Sequence, residues 1–200
     1  MLNIIHKGYR TILQLFYNDK SQFFHLREIV RRTGLNENSV YRFLNKLEEE
    51  KILKVQKEGN LKKYGVKHNQ QVYTAFSCFD VDKFNNLPHL RKTAISSYLN
   101  ALPQQPIFAI LFGSTAKENY RKDSDLDILI ISNEKIVVKK AEQEADSISA
   151  TKVSTFQMGY KDFLKELKLK EDPVIQSAIL TGYPLINHVK YYEVLFNERI

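Results

Sequence analysis

The chain has 200 residues, of which 43% are hydrophobic and 26% are charged, a balance that excludes a disordered or collagen-like protein. The single cysteine, Cys78, cannot form an internal disulfide, which excludes a disulfide-stapled secreted scaffold. No run reaches the roughly 18 apolar residues of a membrane-spanning helix, and Met1–Tyr17 lacks the apolar block of a signal peptide. We therefore expect a cytoplasmic protein with no membrane partner.

The net charge of +7 is concentrated at the start of the chain. Residues 1–75 hold 14 basic and seven acidic side chains, whereas residues 76–200 hold 16 of each. A concentrated positive charge is typical of a surface that binds a polyanion, although a charged face is also commonly just solvated. The first third of the chain is therefore the candidate for nucleic-acid binding.

Residues 1–70 carry the pattern of three helices. The opening stretch Ile4–Phe16 has apolar residues at helical spacing and predicts the first helix. A second helix is predicted over His25–Thr33, and Gly34 ends it because glycine readily adopts the left-handed conformation. The third helix is predicted over Asn36–Glu50, with the side chain of its first residue as the cap.

The third predicted helix has an apolar face and a polar face, and a β-hairpin follows it. The apolar face consists of Val40, Phe43, Leu44 and Leu47, and the polar face of Asn38, Ser39, Tyr41, Arg42, Asn45 and Lys46. Ile52–Gln56 and Lys62–Lys67 alternate as strands around the turn formers Glu58-Gly59-Asn60. Three helices and a basic hairpin predict a winged helix-turn-helix domain.

Such a domain predicts double-stranded DNA as a partner. The exposed side chains of the third helix are expected to face the major groove, namely Asn38, Ser39, Tyr41 and Arg42. Lys62 and Lys63 lie on the hairpin, the wing, and are expected to contact phosphate.

The rest of the chain is predicted as a connection, residues 71–89, and an α/β domain, residues 90–200. Weak periodicity and a break at Asn85–Pro88 indicate the connection, and its aromatic residues indicate that it packs on a neighbour. Alternating strands and helices indicate the α/β domain. Strands are predicted over Ile107–Phe112, Leu126–Ile131 and Lys152–Met158, and helices over Leu90–Leu102, Ile136–Ser149, Asp162–Leu169, Pro173–Thr181 and Val189–Asn197.

The second domain carries one motif that points to chemistry. Gly113 and Ser114 follow a buried strand, where a glycine lets a phosphate approach the backbone and a serine hydroxyl can bind it. Ten residues later, Asp125 and Asp127 are spaced so that both carboxylates point to the same side of a strand. Hard carboxylates beside a phosphate cradle suit Mg²⁺. Each half alone has an ordinary interpretation, a turn or a solvated strand end, and only the combination indicates a site.

This motif resembles the signature of the minimal nucleotidyltransferases of the DNA polymerase β superfamily. Residues 90–165 also follow their order of helix, strand, turn, strand, helix and strand. The resemblance implies a mixed sheet flanked by helices, a nucleoside triphosphate (NTP) and Mg²⁺ or Mn²⁺. It also implies that Asp125 and Asp127 are catalytic metal ligands and that Gly113 and Ser114 hold the triphosphate.

The family usually supplies a third carboxylate from the next strand. Aligning Lys152–Met158 to that strand puts Ser154 at its position, and a serine hydroxyl carries no charge and is a poor base. Asp123 or Asp146 could substitute for it. Whether the site is catalytically active is therefore left open by the sequence.

Three functional classes remain. A winged helix joined to a nucleotidyltransferase resembles a group of mostly archaeal two-domain proteins, and we expect a DNA-binding transcription regulator or antitoxin-like protein that binds NTP and Mg²⁺. The alternative is an active nucleotidyltransferase that modifies a protein or small molecule, with the winged helix as the recruiting module. In the third class both domains are degenerate and bind only protein. Further expected partners are a toxin or another protein acceptor, and a second copy of the chain.

Overall fold

The computed structural model describes residues 7–149 and 151–198 and divides into two compact units, Met1–Phe79 and Asp80–Ile200. Ile4 and Ile5, with which the first predicted helix opens, lie outside the described residues. The helices are α1 (Lys7–Asn18), α2 (Leu26–Thr33), α3 (Glu37–Glu49), α4 (Gln70–Asn86), α5 (His89–Ala101), α6 (Gly113–Ala116), α7 (Lys139–Ser149), α8 (Tyr160–Leu169), α9 (Pro173–Thr181) and α10 (His188–Glu198). The strands are β1 (Phe24–His25), β2 (Leu53–Glu58), β3 (Leu61–Val66), β4 (Phe108–Phe112), β5 (Leu126–Ser132), β6 (Val153–Gly159) and β7 (Tyr183–Ile186). Within the described ranges, no helix is both long and apolar enough to cross a membrane.

The first unit is a winged helix-turn-helix, as the sequence predicts. Gly34 ends α2 in the left-handed conformation, with φ of 67°. The Asn36 side chain caps α3 by accepting a hydrogen bond from the Ser39 N–H at 2.8 Å. The apolar face of α3 is buried through Val40, Leu44 and Leu47. These contacts fix α3 against the rest of the unit and leave its polar face outward.

The wing is a tight hairpin in a three-stranded antiparallel sheet of order β1-β3-β2. Glu58 pairs with Leu61 across the turn, and Gly59 has φ of 58°, the conformation that a two-residue hairpin requires. Strand β1 was not predicted, because it has only two residues and is defined by its pairing with Tyr64 and Lys63 rather than by a local pattern.

The segment predicted as a connection lies largely within the helix α4. The side chains of Phe76 and Phe79 pack against Tyr17 of α1, with ring centroids 5.5 and 5.1 Å apart, so these two aromatic residues of the segment pack on a neighbour. The boundary between the units falls inside α4, after Phe79. In the second unit, the buried carboxylate of Asp80 accepts a hydrogen bond from the Tyr192 hydroxyl at 2.8 Å.

The second unit contains a mixed four-stranded sheet of order β6-β5-β4-β7, as expected. Strands β5 and β6 are parallel, whereas β4 is antiparallel to both β5 and β7. Strand β7 was not predicted because it is short and contains Pro184. Proline is found mainly on edge strands, and β7 is an edge strand. Helix α7 begins at Lys139 rather than Ile136, because the Ile136 N–H donates to the Gln157 side chain at 3.0 Å and holds the chain extended.

The two faces of this sheet have different coverings. One face belongs to a buried cluster that includes Leu126, Ile128 and Ile130 of β5 together with residues of α5 and α7. On the other face, Phe108 packs edge-on against Phe163 of α8 and Tyr191 of α10. Alternation along the strands puts the side chains of Phe112, Asp127 and Ser154 on this second face, at its end.

Candidate functional site

The two aspartates of the motif lie at the start of the central strand β5. Asp127 is in register with Phe112 on one neighbouring strand and with Ser154 on the other. Asp125 comes two residues earlier, immediately before the strand, so its side chain has the same orientation in the alternating pattern. Both residues are only partly buried, so both carboxylates remain within reach of solvent.

The electrostatics of the pair favour a bound cation. Burial raises the pKa of the Asp127 carboxyl above its ordinary value, and the negative charge of Asp125 raises this pKa further. An ionised Asp127 therefore has unfavourable desolvation and repulsion that a positive ion would offset.

Gly113 is fixed by its closeness to this carboxylate. It follows β4 directly and has φ of 70°, a conformation that residues with a side chain rarely adopt. A Cβ atom at this position would collide with the Asp127 Oδ2 atom. The next residue, Ser114, is half-buried in the short helix α6. The structure therefore brings the Gly-Ser turn and Asp127 together from opposite ends of the motif.

Ser154 faces the acid pair, Asp125 and Asp127, as expected from the alignment of Lys152–Met158 to the family's third strand. Its hydroxyl donates a hydrogen bond to Asp125 Oδ2 at 3.3 Å. Asp146 does not take its place, because it lies on α7, which packs on the opposite face of the sheet, where its carboxylate accepts a hydrogen bond from the Val153 N–H at 2.8 Å. Asp123 lies exposed in the loop before Asp125. Over residues 7–149 and 151–198, no group of three or more His, Cys, Asp and Glu side chains is placed to hold a metal ion.

A buried arginine that the sequence analysis did not single out holds the loop between the two halves of the motif. Arg91 of α5 is 4% exposed and donates to Thr115 Oγ1 at 2.8 Å and to the carbonyls of Arg121 and Ser124 at 3.0 and 2.9 Å. Its guanidinium also lies over the Tyr120 ring, 4.2 Å from the centroid. An arginine in an otherwise apolar helical pattern is the only sequence signal for this anchor.

The first unit has a groove between α2, α3 and the wing, with a volume of about 920 Å³. Tyr41 and Lys62, two of the predicted DNA contacts, both line it. Arg27 and Arg31 line it as well. They were not predicted as contacts, although their spacing of one helical turn on α2 puts them on the same side of that helix. The exposed Leu61 adds an apolar side chain at the wing tip.

The two wing lysines have different surroundings. Lys63 forms an ion pair with Glu58 and lies on the side of the hairpin that faces Ser21–Phe23, away from the groove. This ion pair also lowers the pKa of the Glu58 carboxyl. The structure therefore brings Lys62 to the groove with Tyr41 and does not bring Lys63 there.

The remaining predicted contacts lie on the outward side of α3. Asn38 and Arg42 are exposed, and Ser39 is half-buried. The Arg42 guanidinium lies 3.5 Å from the Ser39 hydroxyl, at the limit of a hydrogen bond. Asn38 and Arg42 are one helical turn apart, so they share one side of the helix.

Comparisons with protein families agree with both units. Residues 93–189 match the model described as polymerase beta, nucleotidyltransferase, and this span contains Gly113, Asp125, Asp127 and Ser154. Residues 11–57 match the model described as the IclR helix-turn-helix domain. The chain joins a helix-turn-helix domain to a nucleotidyltransferase-like domain. The wing strand β3 lies wholly outside the span that the helix-turn-helix model matches.

Similarity to individual proteins is weak. No curated protein matches the chain. The protein AF1382 from Archaeoglobus fulgidus is 15% identical, with a TM-score of 0.37 over 44% of this chain and 96% of that one. TrmBL2, described as an archaeal chromatin protein with a novel mode of DNA binding, is 15% identical, with a TM-score of 0.25 over 82% of this chain and 75% of that one. The assignment of the two domains therefore rests on the family models.

Proposed function

We propose that this protein is a DNA-binding regulator whose nucleotidyltransferase-like domain binds an NTP together with Mg²⁺. The observation that supports the nucleotide site is the approach of Gly113 to the Asp127 carboxylate, with Asp125 and Ser154 beside it. We place the triphosphate against the Gly113 backbone and Ser114, beside the Asp127 carboxylate, for which the missing Cβ of Gly113 makes room.

The residues present fit a divalent ion that shares its coordination with a nucleotide. Mg²⁺ prefers oxygen ligands and is usually bound by one or two carboxylates plus substrate phosphates. Asp125 and Asp127 supply two such carboxylates, and the pKa of Asp127 is raised first by burial and then by the negative charge of Asp125. When bound, divalent ions in this fold neutralise the charge that develops at the α-phosphate.

The serine at the position of the third carboxylate argues against catalysis. Ser154 can orient the Asp125 carboxylate through their hydrogen bond, but it cannot add charge or accept a proton effectively. We therefore propose nucleotide binding as the native role of this site, and transfer of a nucleotidyl group as slow or absent.

The groove of the first unit supports the DNA-binding part of the proposal. Three basic side chains line it, those of Arg27, Arg31 and Lys62, against the two acidic side chains of Glu28 and Glu37. Tyr41 supplies a ring and a hydroxyl at its α3 side. The net charge of +7 comes entirely from residues 1–75, which this unit contains. Phosphate contacts of this kind supply affinity, whereas exposed α3 side chains such as Arg42 supply sequence discrimination.

Incubation of the full chain with each of four α-labelled NTPs and Mg²⁺ or Mn²⁺ tests the nucleotide site. We expect label retained on the native protein under non-denaturing filtration and lost after denaturation. Glu134→Gln, which removes an exposed carboxylate elsewhere in the second unit, is the matched control and should retain the label.

Two results of this experiment contradict the proposal in different ways. Label that survives denaturation, on the protein or on an added acceptor, shows an active nucleotidyltransferase that modifies a protein or small molecule. Absence of retained label with every NTP shows that the site does not bind nucleotide.

A further inference from the structure

We propose that Phe156 is the platform on which the base of the bound nucleotide stacks. This inference rests on the proposed nucleotide site and assigns the part of it that recognises the base. Phe156 lies on β6, two residues beyond Ser154, so its side chain is on the same face of the sheet as Asp127 and Ser154.

The Phe156 ring lies on the edge strand β6 and remains partly open to solvent. Phe156 is 38% exposed, whereas Leu129 beside it on β5 and Ile110 on β4 are both 0% exposed. Helices cover the rest of this face, as shown by the packing of Phe108 against Phe163. An exposed aromatic ring therefore lies on this face, two residues along β6 from Ser154.

The ring is also held in place. Phe112 packs edge-on against Phe156, with centroids 5.4 Å apart and an interplanar angle of 67°. Phe112 is 5% exposed and directly precedes Gly113. A partly exposed aromatic ring that packs against a buried one is held in place and can stack against a planar ligand.

The spacing suits a nucleoside. Ser154 and Phe156 are two residues apart on one strand, which separates their side chains by about 7 Å. An NTP with its phosphates at Gly113 and the acid pair can therefore extend its base over Phe156. Every nucleobase presents a π-face, so an aromatic platform of this kind binds bases through stacking rather than hydrogen bonds.

Substitutions of Phe156 test this assignment through NTP affinity in the presence of Mg²⁺. Phe156→Ala should weaken binding of ATP by about 5- to 150-fold, the range that loss of one base-stacking contact gives. Its affinity for Mg²⁺ and inorganic tripolyphosphate, which has no base, should stay within about 2-fold of that of the native protein. Leu169→Ala, which removes an exposed apolar side chain from α8, is the matched control and should leave both affinities unchanged.

Phe156→Trp gives a direct signal because the chain contains no tryptophan. We expect ATP with Mg²⁺ to quench this tryptophan's fluorescence and tripolyphosphate with Mg²⁺ not to quench it. If Phe156→Ala loses equal affinity for ATP and tripolyphosphate, or loses no affinity for ATP, Phe156 is not the stacking platform, although the nucleotide site itself stands. Failure of the native protein to bind ATP, GTP, CTP or UTP would overturn both proposals.

Discussion

At the scale of single residues, the ionised Asp127 carboxylate lowers the stability of the free protein. A carboxyl whose pKa is raised on folding binds its proton more tightly in the folded state. Ionised Asp127 therefore destabilises the metal-free fold once the pH exceeds the carboxyl's ordinary value of 3.8, and this destabilisation is complete above the raised pKa. At pH values below 3.8 the group is protonated in both states and has no such effect.

Asp127→Asn tests whether the charge of Asp127 destabilises the metal-free fold, because the amide keeps the shape of the carboxyl without its charge. At pH 7 and without metal, we expect a Tm that is equal to that of the native protein or up to about 3 °C higher. Stabilisation by NTP and Mg²⁺ should be lost in this variant. Thermal unfolding at pH 7 and pH 4 measures both effects, and the difference in metal-free Tm should shrink at the lower pH. Strong destabilisation of the metal-free variant would show instead that Asp127 is a structural hydrogen-bonding residue.

Ser154 is the residue at which we expect a third carboxylate to join Asp125 and Asp127. Because its hydroxyl donates to Asp125 Oδ2, the change Ser154→Asp should put a third carboxylate beside the pair. We expect tighter binding of Mg²⁺ or Mn²⁺, increased transfer of a nucleotidyl group, and a metal-free Tm lower by about 2–4 °C through repulsion. Metal affinity by calorimetry and transfer of α-label measure the gain.

Ser154→Asn is the matched control, since it has the size of aspartate without the charge. A gain of transfer in Ser154→Asn equal to that in Ser154→Asp would refute the role of the charge. Unchanged metal affinity in Ser154→Asp would show that the new carboxylate does not join the site.

At the scale of elements, the wing places two adjacent lysines in different surroundings, although the sequence predicts the same role for both. Lys62 lines the groove with Tyr41, whereas Lys63 is paired with Glu58 on the other side of the hairpin. We expect Lys62→Ala to weaken binding to every duplex and to reduce the slope of log K against log salt by about one. Lys63→Ala is the matched control and should change the slope by much less. Equal effects of the two substitutions would contradict this assignment of the wing.

Helix α3 should supply discrimination between sequences rather than general affinity. Arg42 is exposed on its outward side, where a guanidinium can bind a base edge in the major groove. Arg42→Ala should therefore lower the affinity for a selected site by about 1–3 kcal/mol and leave the affinity for random duplex nearly unchanged. Anisotropy titrations with a selected and a random duplex measure the two values, and an equal loss for both would assign Arg42 to phosphate instead.

The sequence predicts well the elements that carry local signals. Asn36 and Gly34 mark the bounds of α3 and α2, and Asp125-x-Asp127 locates the acid pair. It does not predict β1 and β7, which exist through pairing with distant strands, nor the approach of Arg91 to the motif loop, which depends on tertiary packing. The different roles of Lys62 and Lys63 also require the sheet, because alternation along β3 and the ion pair with Glu58 decide them.

At the scale of the whole molecule, the chain divides its charge between two domains. The helix-turn-helix unit carries the excess of basic residues and the nucleotidyltransferase-like unit is balanced, so duplex DNA and nucleotide are expected to bind at different units. DNA affinity should fall steeply with salt, by about 0.9 log units per phosphate contact for each log unit of salt. Affinity for NTP with Mg²⁺ should depend on the acid pair instead.

Calorimetric titration of the full chain with NTP, in Mg²⁺ and again in EDTA, tests the nucleotide site most directly. The titration compares the native protein with the double variant Asp125→Asn/Asp127→Asn and with the control Glu134→Gln. We predict binding of at least one NTP that requires Mg²⁺, persists in Glu134→Gln and disappears in the double variant. Binding that persists in EDTA or in the double variant would contradict the account, because the nucleotide would then bind without the two carboxylates.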